Sequence, residues 1–306
     1  MAELNQITII GVGLIGGSFA LSLKRSAFRG TIVGCDSEMV LEKAMAMGVI
    51  DRAEPRAEDA IRKSDVVLLA TPVGTIIDLI ERVGPLLKED QLLTDVGSTK
   101  TAAVAAAGRV FGQQAMRRFL PGHPMAGRSP SGIAQAAPEI FENAVWIFTE
   151  PHATLLESSA VGAGFADLVR RTGARIITMQ VAQHDRVCAW VSHLPQFIAT
   201  AFAGILQDEF GNGEQIQGIG GRPLREMTRI AASPFSMWRD IAHTNEANIS
   251  EALMRLEQRL AYLRENLRGP GLREEFDRGN AFRAATDARQ KKAASELKMK
   301  ARRAED

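Results

Sequence analysis

Short apolar runs alternate with helical patterns through the first half of the chain. The run QITIIGVG from Gln6 predicts a buried strand, with Ser18–Arg25 as the helix after it. TIVGCD (Thr31–Asp36) predicts a second strand, followed by an amphipathic stretch through Met47. Then come DVVLLATP (Asp65–Pro72), a helix near Ile76–Val83, QLLTDVGS (Gln91–Ser98) and an Ala-rich helix. RRFLPGHP and NAVWIFTEP supply two more strand candidates. Strands that lack polar alternation and are separated by helices predict a mainly parallel sheet covered on both faces.

Near Thr178 the pattern changes to long helices. Val187, Trp190, Val191, Leu194, Phe197, Ile198, Ala201, Phe202 and Ile205 recur at helical spacing, with Pro195 as the expected kink. From Asn245 to Arg268, Ile249, Leu253, Leu256, Leu260, Leu263 and Leu267 form a heptad seam, which Gly269-Pro270 terminates. The seam fits either a core helix of the same chain or a face buried against a second copy. Two long apolar helices in so small a segment favour the homodimer. Three regions are therefore expected: an α/β domain at 1–178, an all-helical domain at 179–268 and a charged helix or tail at 269–306. The last holds ten Lys/Arg against seven Asp/Glu.

A length of 306 residues gives room for about two domains. Lys and Arg number 37 against 36 Asp and Glu, a net charge of +1, so no broad field favours nucleic acid or acidic membranes. Cys35 and Cys188 are too few for a disulfide framework or a four-ligand zinc site, and fit a reducing cytoplasm. The uncharged stretch Ile7–Leu23 follows Glu3 with no Lys or Arg before it, and glycines and serines interrupt it, unlike a signal peptide. No unbroken apolar run has the length of a membrane span.

Gly11-Val12-Gly13-Leu14-Ile15-Gly16 matches G-x-G-x-x-G in the one context that gives the pattern meaning, directly between a strand and a helix. The first glycine allows the tight turn, the second lets a pyrophosphate approach the backbone, and the third allows close helix–strand packing. Asp36 closes the second strand, twenty residues past Gly16. A carboxylate there accepts hydrogen bonds from ribose hydroxyls and repels a 2′-phosphate, which favours NAD over NADP. Leu14 and Ile15 belong to the same loop. Thr71-Pro72 and Asp95-Val96-Gly97-Ser98 end two further strands, where ligands of a doubly wound sheet lie.

His123 lies in LPGHPMAG, beyond a strand and between Gly122 and Pro124, a rigid setting that suits a general base. His184-Asp185 and His193 fall on the first long helix, nine residues apart, which does not place the imidazoles on one face of a straight helix. His152 and His243 read as surface or capping residues, the latter at a helix start. No metal site is expected, since no H-E-x-x-H or similar pair occurs. Arg229, within apolar MTRIAAS, wants an anion from the protein or a ligand, and Trp238 lies nearby in SPFSMWRDI.

GVGLIGGS, ATP, DVGSTK, GHPMAG, HD…SHLPQ and TRIA…MWRDI, in this order and spacing from about Gln6 to Arg264, resemble the prephenate/arogenate dehydrogenases of tyrosine biosynthesis. The resemblance implies an N-terminal Rossmann-type doubly wound α/β sheet and an all-α C-terminal dimerisation domain. It implies NAD-dependent oxidative decarboxylation of prephenate, and of arogenate as a second substrate. By motif position, His123 would be the base on the ring hydroxyl, assisted by Ser98. Arg229 would hold a substrate carboxylate, while His184, His193, Gln196 and Trp238 shape the pocket. Gln196 stands where some prephenate-preferring members have His. Gly127-Arg128-Ser129-Pro130-Ser131-Gly132 lacks the acidic residue that many members carry there.

The absence of an acidic group in MTRIAASPFSMW leans towards prephenate over arogenate. A start at Gln6 and a short, polar tail lead to the expectation of neither an N-terminal fusion nor an ACT regulatory domain. Competing readings are an arogenate-specific enzyme, another two-domain β-hydroxyacid-type dehydrogenase, and a redox sensor that binds NAD(H) without turnover. The polar set His123, Ser98 and Arg229 argues against the sensor, because nucleotide binding alone does not need it.

Overall fold

The structure is a computed structural model that describes residues 4–127, 130–211 and 213–305, with side chains to residue 289 except that of Gln217. Its contacts divide the chain into two units, Met1–Ile249 and Ser250–Asp306. The first unit carries β1 (Gln6–Ile10), β2 (Thr31–Cys35), β3 (Arg52–Ala53), β4 (Val66–Leu69), β5 (Leu92–Asp95) and β6 (Phe119–Leu120). These form a six-stranded parallel sheet in the order β3-β2-β1-β4-β5-β6. The strand order reverses between β1 and β4, which opens a crevice at their carboxyl ends.

The apolar runs are buried throughout, with every residue of β1, β4 and β5 in the interior. The helices Leu14–Arg25, Glu38–Ala46, Val73–Val83 and Thr101–Phe111 cover the two faces, as right-handed crossovers require. One core gathers Ile7, Ile9, Phe19 and Leu23; the other gathers Ile10, Leu69, Ile76 and Ala106.

The run RRFLPGHP does not make one strand. Pro121 separates β6 from β7 (Gly122–Pro124), and β7 joins a second sheet with β8 (Val145–Glu150) and β9 (Arg175–Gln180) in the order β7-β8-β9. β7 runs antiparallel to β8, which pairs in parallel with β9. Neither this sheet nor the helix Ala160–Arg171 was expected. β9 hides from pattern reading because Arg175, Thr178 and Gln180 break its apolar run and it is half-exposed. An aromatic cluster fastens this sheet to the glycine-loop helix. Trp146 on β8 meets Phe19 at 5.4 Å, Phe141 at 5.5 Å and Phe165 at 6.3 Å between ring centres.

After β9 the described elements are helical. The run Val181–Phe210 contains α-helix Val181–Cys188, a π-helical turn Ala189–His193 and α-helix Leu194–Phe210. It is 30 residues long and holds an 18-residue window with a mean hydropathy of 1.2, which matches a membrane span by length and composition alone. It also buries His184, Asp185, His193 and Gln196, whose partners are protein groups described below. The irregularity precedes Pro195, which lacks the N–H that an uninterrupted helix needs and clashes with the carbonyl four residues back.

The second unit comprises Ser250 onward in the helix Glu246–Glu265, and the helix Pro270–Glu305. Arg259 and Glu275 join the two helices by an ion pair of 2.6 Å. Of the heptad positions, Leu260 and Leu267 are exposed, as are Phe276 and Phe282 on the second helix.

Trp146→Ala should cost about 3–5 kcal/mol, since it removes a fully buried ring that four other aromatic groups pack against. Chemical denaturation measures this, and an unchanged midpoint would show that the ring does not hold the two sheets together.

Candidate active site

The glycine loop follows β1. Gly11 has φ +97°, and a Cβ there would strike Ala70, the residue after β4. A Cβ on Gly16 would collide with the Gly11 carbonyl oxygen, so the helix can approach the turn only without one. Gly13 caps the helix N-terminus and faces open space, which leaves its amide end accessible to an anion. Leu14 is buried and Ile15 is half-buried in the first turn. Asp36 accepts hydrogen bonds from the Val12 amide (2.8 Å) and the Ser37 amide (2.7 Å), which fixes its carboxylate beside the loop.

Thr71 and Pro72 follow β4, and Pro72 precedes the helix Val73–Val83. Thr71 Oγ1 is buried without a hydrogen-bond partner, which leaves it available to a bound group. The Gly74 amide donates to Asp240 Oδ2 (3.0 Å), tying this helix to the helix Phe235–Thr244 that carries Trp238.

Asp95 and Lys100 organise the next loop. Asp95 accepts from the Gly97 amide (2.9 Å), the Gly122 amide (3.1 Å) and Lys100 Nζ, all buried. Lys100 Nζ also donates to the Gly122 carbonyl oxygen (2.8 Å). One ion pair thus pins the loop that holds Ser98 to the strand that holds His123. Ser98 is half-buried. It lies between anchored neighbours, since the Thr99 and Thr244 hydroxyls share a 2.7 Å hydrogen bond.

His123 Nδ1 is 2.9 Å from His184 Nε2, and His184 Nδ1 is 2.8 Å from Asp185 Oδ1. A carboxylate only accepts, so His184 donates from Nδ1 and its Nε2 accepts the Nδ1 proton of His123. The chain of bonds leaves His123 Nε2 without a proton. Burial, then the neighbouring His184, Lys100 and His193, push the His123 pKa well below its ordinary value and keep the ring neutral. Burial pushes Asp185 the other way, but hydrogen bonds from His184 and Thr101 and from the Lys100 amide outweigh it and hold the carboxyl below the usual range. The Lys100 amide (2.8 Å) and Thr101 amide (2.9 Å) are donors at the start of the helix Thr101–Phe111, so Asp185 also caps that helix.

Asn245 Nδ2 donates to the Asp185 carbonyl oxygen (2.8 Å) and to His193 Nδ1 (3.2 Å). His193 therefore carries its proton on Nε2, which is buried and unpartnered. Burial lowers its pKa to about 4, only partly opposed by Asp185. Trp238 Nε1 is also buried and unpartnered, and its ring stands edge-on to His193 at 6.0 Å. Two neutral donors are thus left without acceptors in one place. Gln196 donates to Thr200 Oγ1 (3.2 Å) and accepts from Ser233 Oγ (3.2 Å). Arg229 begins a short 3-10 turn against the helix Leu194–Phe210 and is exposed, with no ion pair among the described residues.

The structure joins His123, His184, His193 and Trp238 through contacts, while Arg229 stands outside that connected set. Sequence reasoning read Asp95 only as part of a ligand-bordering turn, and missed Lys100 and Asn245 as site residues. DVGSTK contained the first two, but Asn245 had no signal. His184 Nε2, His123 Nδ1 and Cys188 Sγ cluster closely enough to hold a metal ion, a grouping that spacing concealed. His152 is not a surface residue: it is buried and bonded to the Phe119 carbonyl oxygen (2.8 Å). His243 lies in the last turn of its helix rather than at a start. Arg128 and Ser129, where the family's acidic residue was sought, lie outside the described residues.

In register, Asp95 pairs with Leu69 and Leu69 with Ile10. The Asp95 end of β5, to which the Gly122 amide beside His123 is bonded, therefore stands about 10 Å, two strand spacings, from the glycine turn at the same edge of the sheet. This fold and crevice define a Rossmann-type dinucleotide-binding chain with a helical C-terminal segment. Residues 19–178 match the family model of the prephenate dehydrogenase nucleotide-binding domain, and residues 180–279 that of the prephenate dehydrogenase dimerization domain. The chain belongs to the prephenate dehydrogenase family.

It is 32% identical over 243 residues to the prephenate dehydrogenase of Lactococcus lactis subsp. cremoris, covering 79% of this chain and 65% of that protein. It therefore spans just under two thirds of that relative's length. The cyclohexadienyl dehydrogenase of Zymomonas mobilis is 32% identical over 80% of this chain and 82% of its own. The crystal structure of Aquifex aeolicus prephenate dehydrogenase in complex with hydroxyphenyl propionate and NAD+ superposes with a TM-score of 0.79 at 30% identity, covering 94% and 98% of the two chains.

Lys100→Met should destabilise the protein by about 3–5 kcal/mol, because it leaves the Asp95 carboxylate buried and uncompensated. Urea denaturation reads the loss. The double variant Asp95→Asn/Lys100→Met should recover part of it, and no recovery would mean that the pair is not the source.

Proposed function

We propose that the protein catalyses the NAD-dependent oxidative decarboxylation of prephenate, with arogenate as a slower substrate. The observation that carries this reading is His123 Nε2, left proton-free by the Asp185–His184 hydrogen bonds at the edge of a dinucleotide crevice. Gly11, Gly13, Leu14, Ile15 and Gly16 would receive the pyrophosphate of NAD, Asp36 the adenosine ribose, and Thr71 and Pro72 the nicotinamide end. The Gly13 opening and the unpartnered Thr71 hydroxyl fit such a guest. When bound, NAD+ supplies the acceptor for the hydride that leaves the ring carbon bearing the hydroxyl.

His123 accepts the ring hydroxyl proton as a ketone develops, with Ser98 holding that oxygen. The bond to the ring carboxylate then breaks, CO2 departs, and the electron pair makes the ring aromatic while the oxygen regains a proton. Protonating a buried neutral imidazole is eased by Asp185, whose charge reaches His123 through His184. Water exclusion follows from burial, as His184 and His193 are fully inaccessible. The unpartnered N–H groups of His193 and Trp238 await acceptors on the substrate, and Arg229 supplies the charge for a carboxylate. Gln196 sets the far wall.

Asp240, the carboxylate closest in sequence to Trp238, is committed to Arg239 (2.8 Å) and the Gly74 amide. An ammonium group on the side chain therefore meets no free carboxylate on this helix, which favours the keto acid. A homodimer through the helical segment is part of the same reading, supported by the exposed Val191, Ile205, Leu260 and Leu267.

Incubation with NAD+ and prephenate, then arogenate, while following NADH absorbance tests the reading. Prephenate should give the higher kcat/KM. Tight NADH binding with neither substrate consumed would support the sensor instead. His123→Asn should lower kcat by about 10²–10⁴-fold with NAD+ affinity retained. Arg229→Ala should raise KM by roughly 10- to 100-fold, the worth of one charge-assisted contact. An unaltered KM would assign Arg229 a structural role. Light scattering should give twice the mass of the chain, and a monomer at micromolar concentration would remove the dimer from the proposal.

A further inference from the structure

The proposed reaction uses no thiol, yet Cys188 lies one helical turn after His184 with its Sγ 3.6 Å from His184 Nε2 and 3.8 Å from His123 Nδ1. The two nitrogens are 2.9 Å apart, so three donor atoms form a small triangle. Tetrahedral zinc, with bonds of about 2.0–2.1 Å to nitrogen and 2.3 Å to sulfur, sets N···N near 3.3 Å and N···S near 3.6 Å. Each side of the triangle needs to move by less than about half an ångström. His184 already donates its other ring N–H to Asp185, which accepts two backbone amides in turn. That is the carboxylate–histidine arrangement that orients a metal-bound imidazole.

We propose that His123, His184 and Cys188 form an inhibitory site for a zinc-like divalent cation, whose binding takes His123 out of the reaction. The inhibitory part rests on the assignment of His123 as the base; the binding part does not. A nitrogen and thiolate donor set selects borderline and soft cations such as Zn2+ and Co2+ over Mg2+ and Ca2+.

Binding replaces the proton shared between the two imidazoles. The His123 proton moves from Nδ1 to Nε2, the Cys188 thiol gives its proton to solvent, and one proton is released per cation. The base at Nε2 becomes a donor and can no longer accept from substrate. Burial pushes the Cys188 thiol up to about 12, with Asp185 adding to the rise and Lys100 opposing it. This weakens the site without abolishing it, since a coordinated thiol is deprotonated by the cation itself. Of the three, His123 is the most exposed, at 8%, against 0% for His184 and 1% for Cys188, so a cation would enter on the His123 side.

The test uses the whole protein, stripped with a chelator and titrated with Co2+ for spectroscopy and with Zn2+ for activity. One Co2+ per chain should bind with a thiolate-to-cobalt charge-transfer band and the visible absorption of a four-coordinate ion. Zn2+ should suppress NADH formation, a chelator should restore it, and Mg2+ should do neither. Cys188→Ala should lose the charge-transfer band and need at least about tenfold more Zn2+ for the same inhibition. Its metal-free turnover should stay within about twofold. Cys188→Ser checks against a packing effect and should behave likewise, while Cys35→Ala should keep the band. No charge-transfer band in the unaltered protein, or equal Zn2+ sensitivity in Cys188→Ala, overturns the site. The cobalt spectrum needs no substrate, so loss of the proposed reaction and loss of the metal site are told apart.

Discussion

The buried carboxylate of Asp185 is the point on which the arrangement turns. It is 1% exposed and cannot remain there without donors. Three groups meet the demand: the Lys100 and Thr101 amides at a helix start and the Nδ1–H of His184. Each bond has a structural consequence. The amides lock the β5 loop to the helix Val181–Cys188, and the imidazole bond fixes two tautomers in succession. The carbonyl of the same residue holds Asn245, which fixes a third imidazole, His193. A single residue, through its carboxylate for His184 and His123 and its carbonyl for His193, therefore decides which ring nitrogens donate and which accept across the site.

The sheet supplies the complementary constraint. A parallel order that reverses between β1 and β4 leaves the carboxyl ends of β2, β1, β4 and β5 along one edge. Asp36, the glycine turn, Thr71 and Ser98 follow those strands in that order. Three strand spacings, about 14 Å, separate the Asp36 end from the Asp95 end. That span suits an extended dinucleotide. The close packing of Gly16 on Gly11 and of Gly11 on Ala70 sets the depth at which such a guest lies.

The N-terminal half was legible because its strands are buried on both faces and read as unbroken apolar runs. The glycine loop, Asp36, Thr71 and the His123 segment were visible for the same reason: each follows a strand that the pattern reveals. The second sheet was not. β7 is three residues long, and β9 carries Arg175, Thr178 and Gln180 among its apolar residues. Pairing between distant segments leaves no periodic mark on so short a strand. The imidazole relay was hidden because His123 and His184 are 61 positions apart and meet only after both sheets have formed. Asn245 gave no signal, since its role depends wholly on what it faces.

The nine-residue interval between His184 and His193 shows how local irregularity completes what topology begins. In a straight α-helix nine residues turn through about 900°, which sets the two side chains on opposite faces. The π-helical turn Ala189–His193 holds one extra residue per turn, and so moves His193 back by about 100°. Asn245 can then donate both to the Asp185 carbonyl oxygen and to His193 Nδ1. Pro195 stabilises the irregular form, because it cannot donate to the regular ladder that would erase it. The helix therefore gives up regular bonding where the site requires a second imidazole. The Nε2–H of His193, buried and without a hydrogen-bond partner among the described residues, remains beside Trp238 as the result.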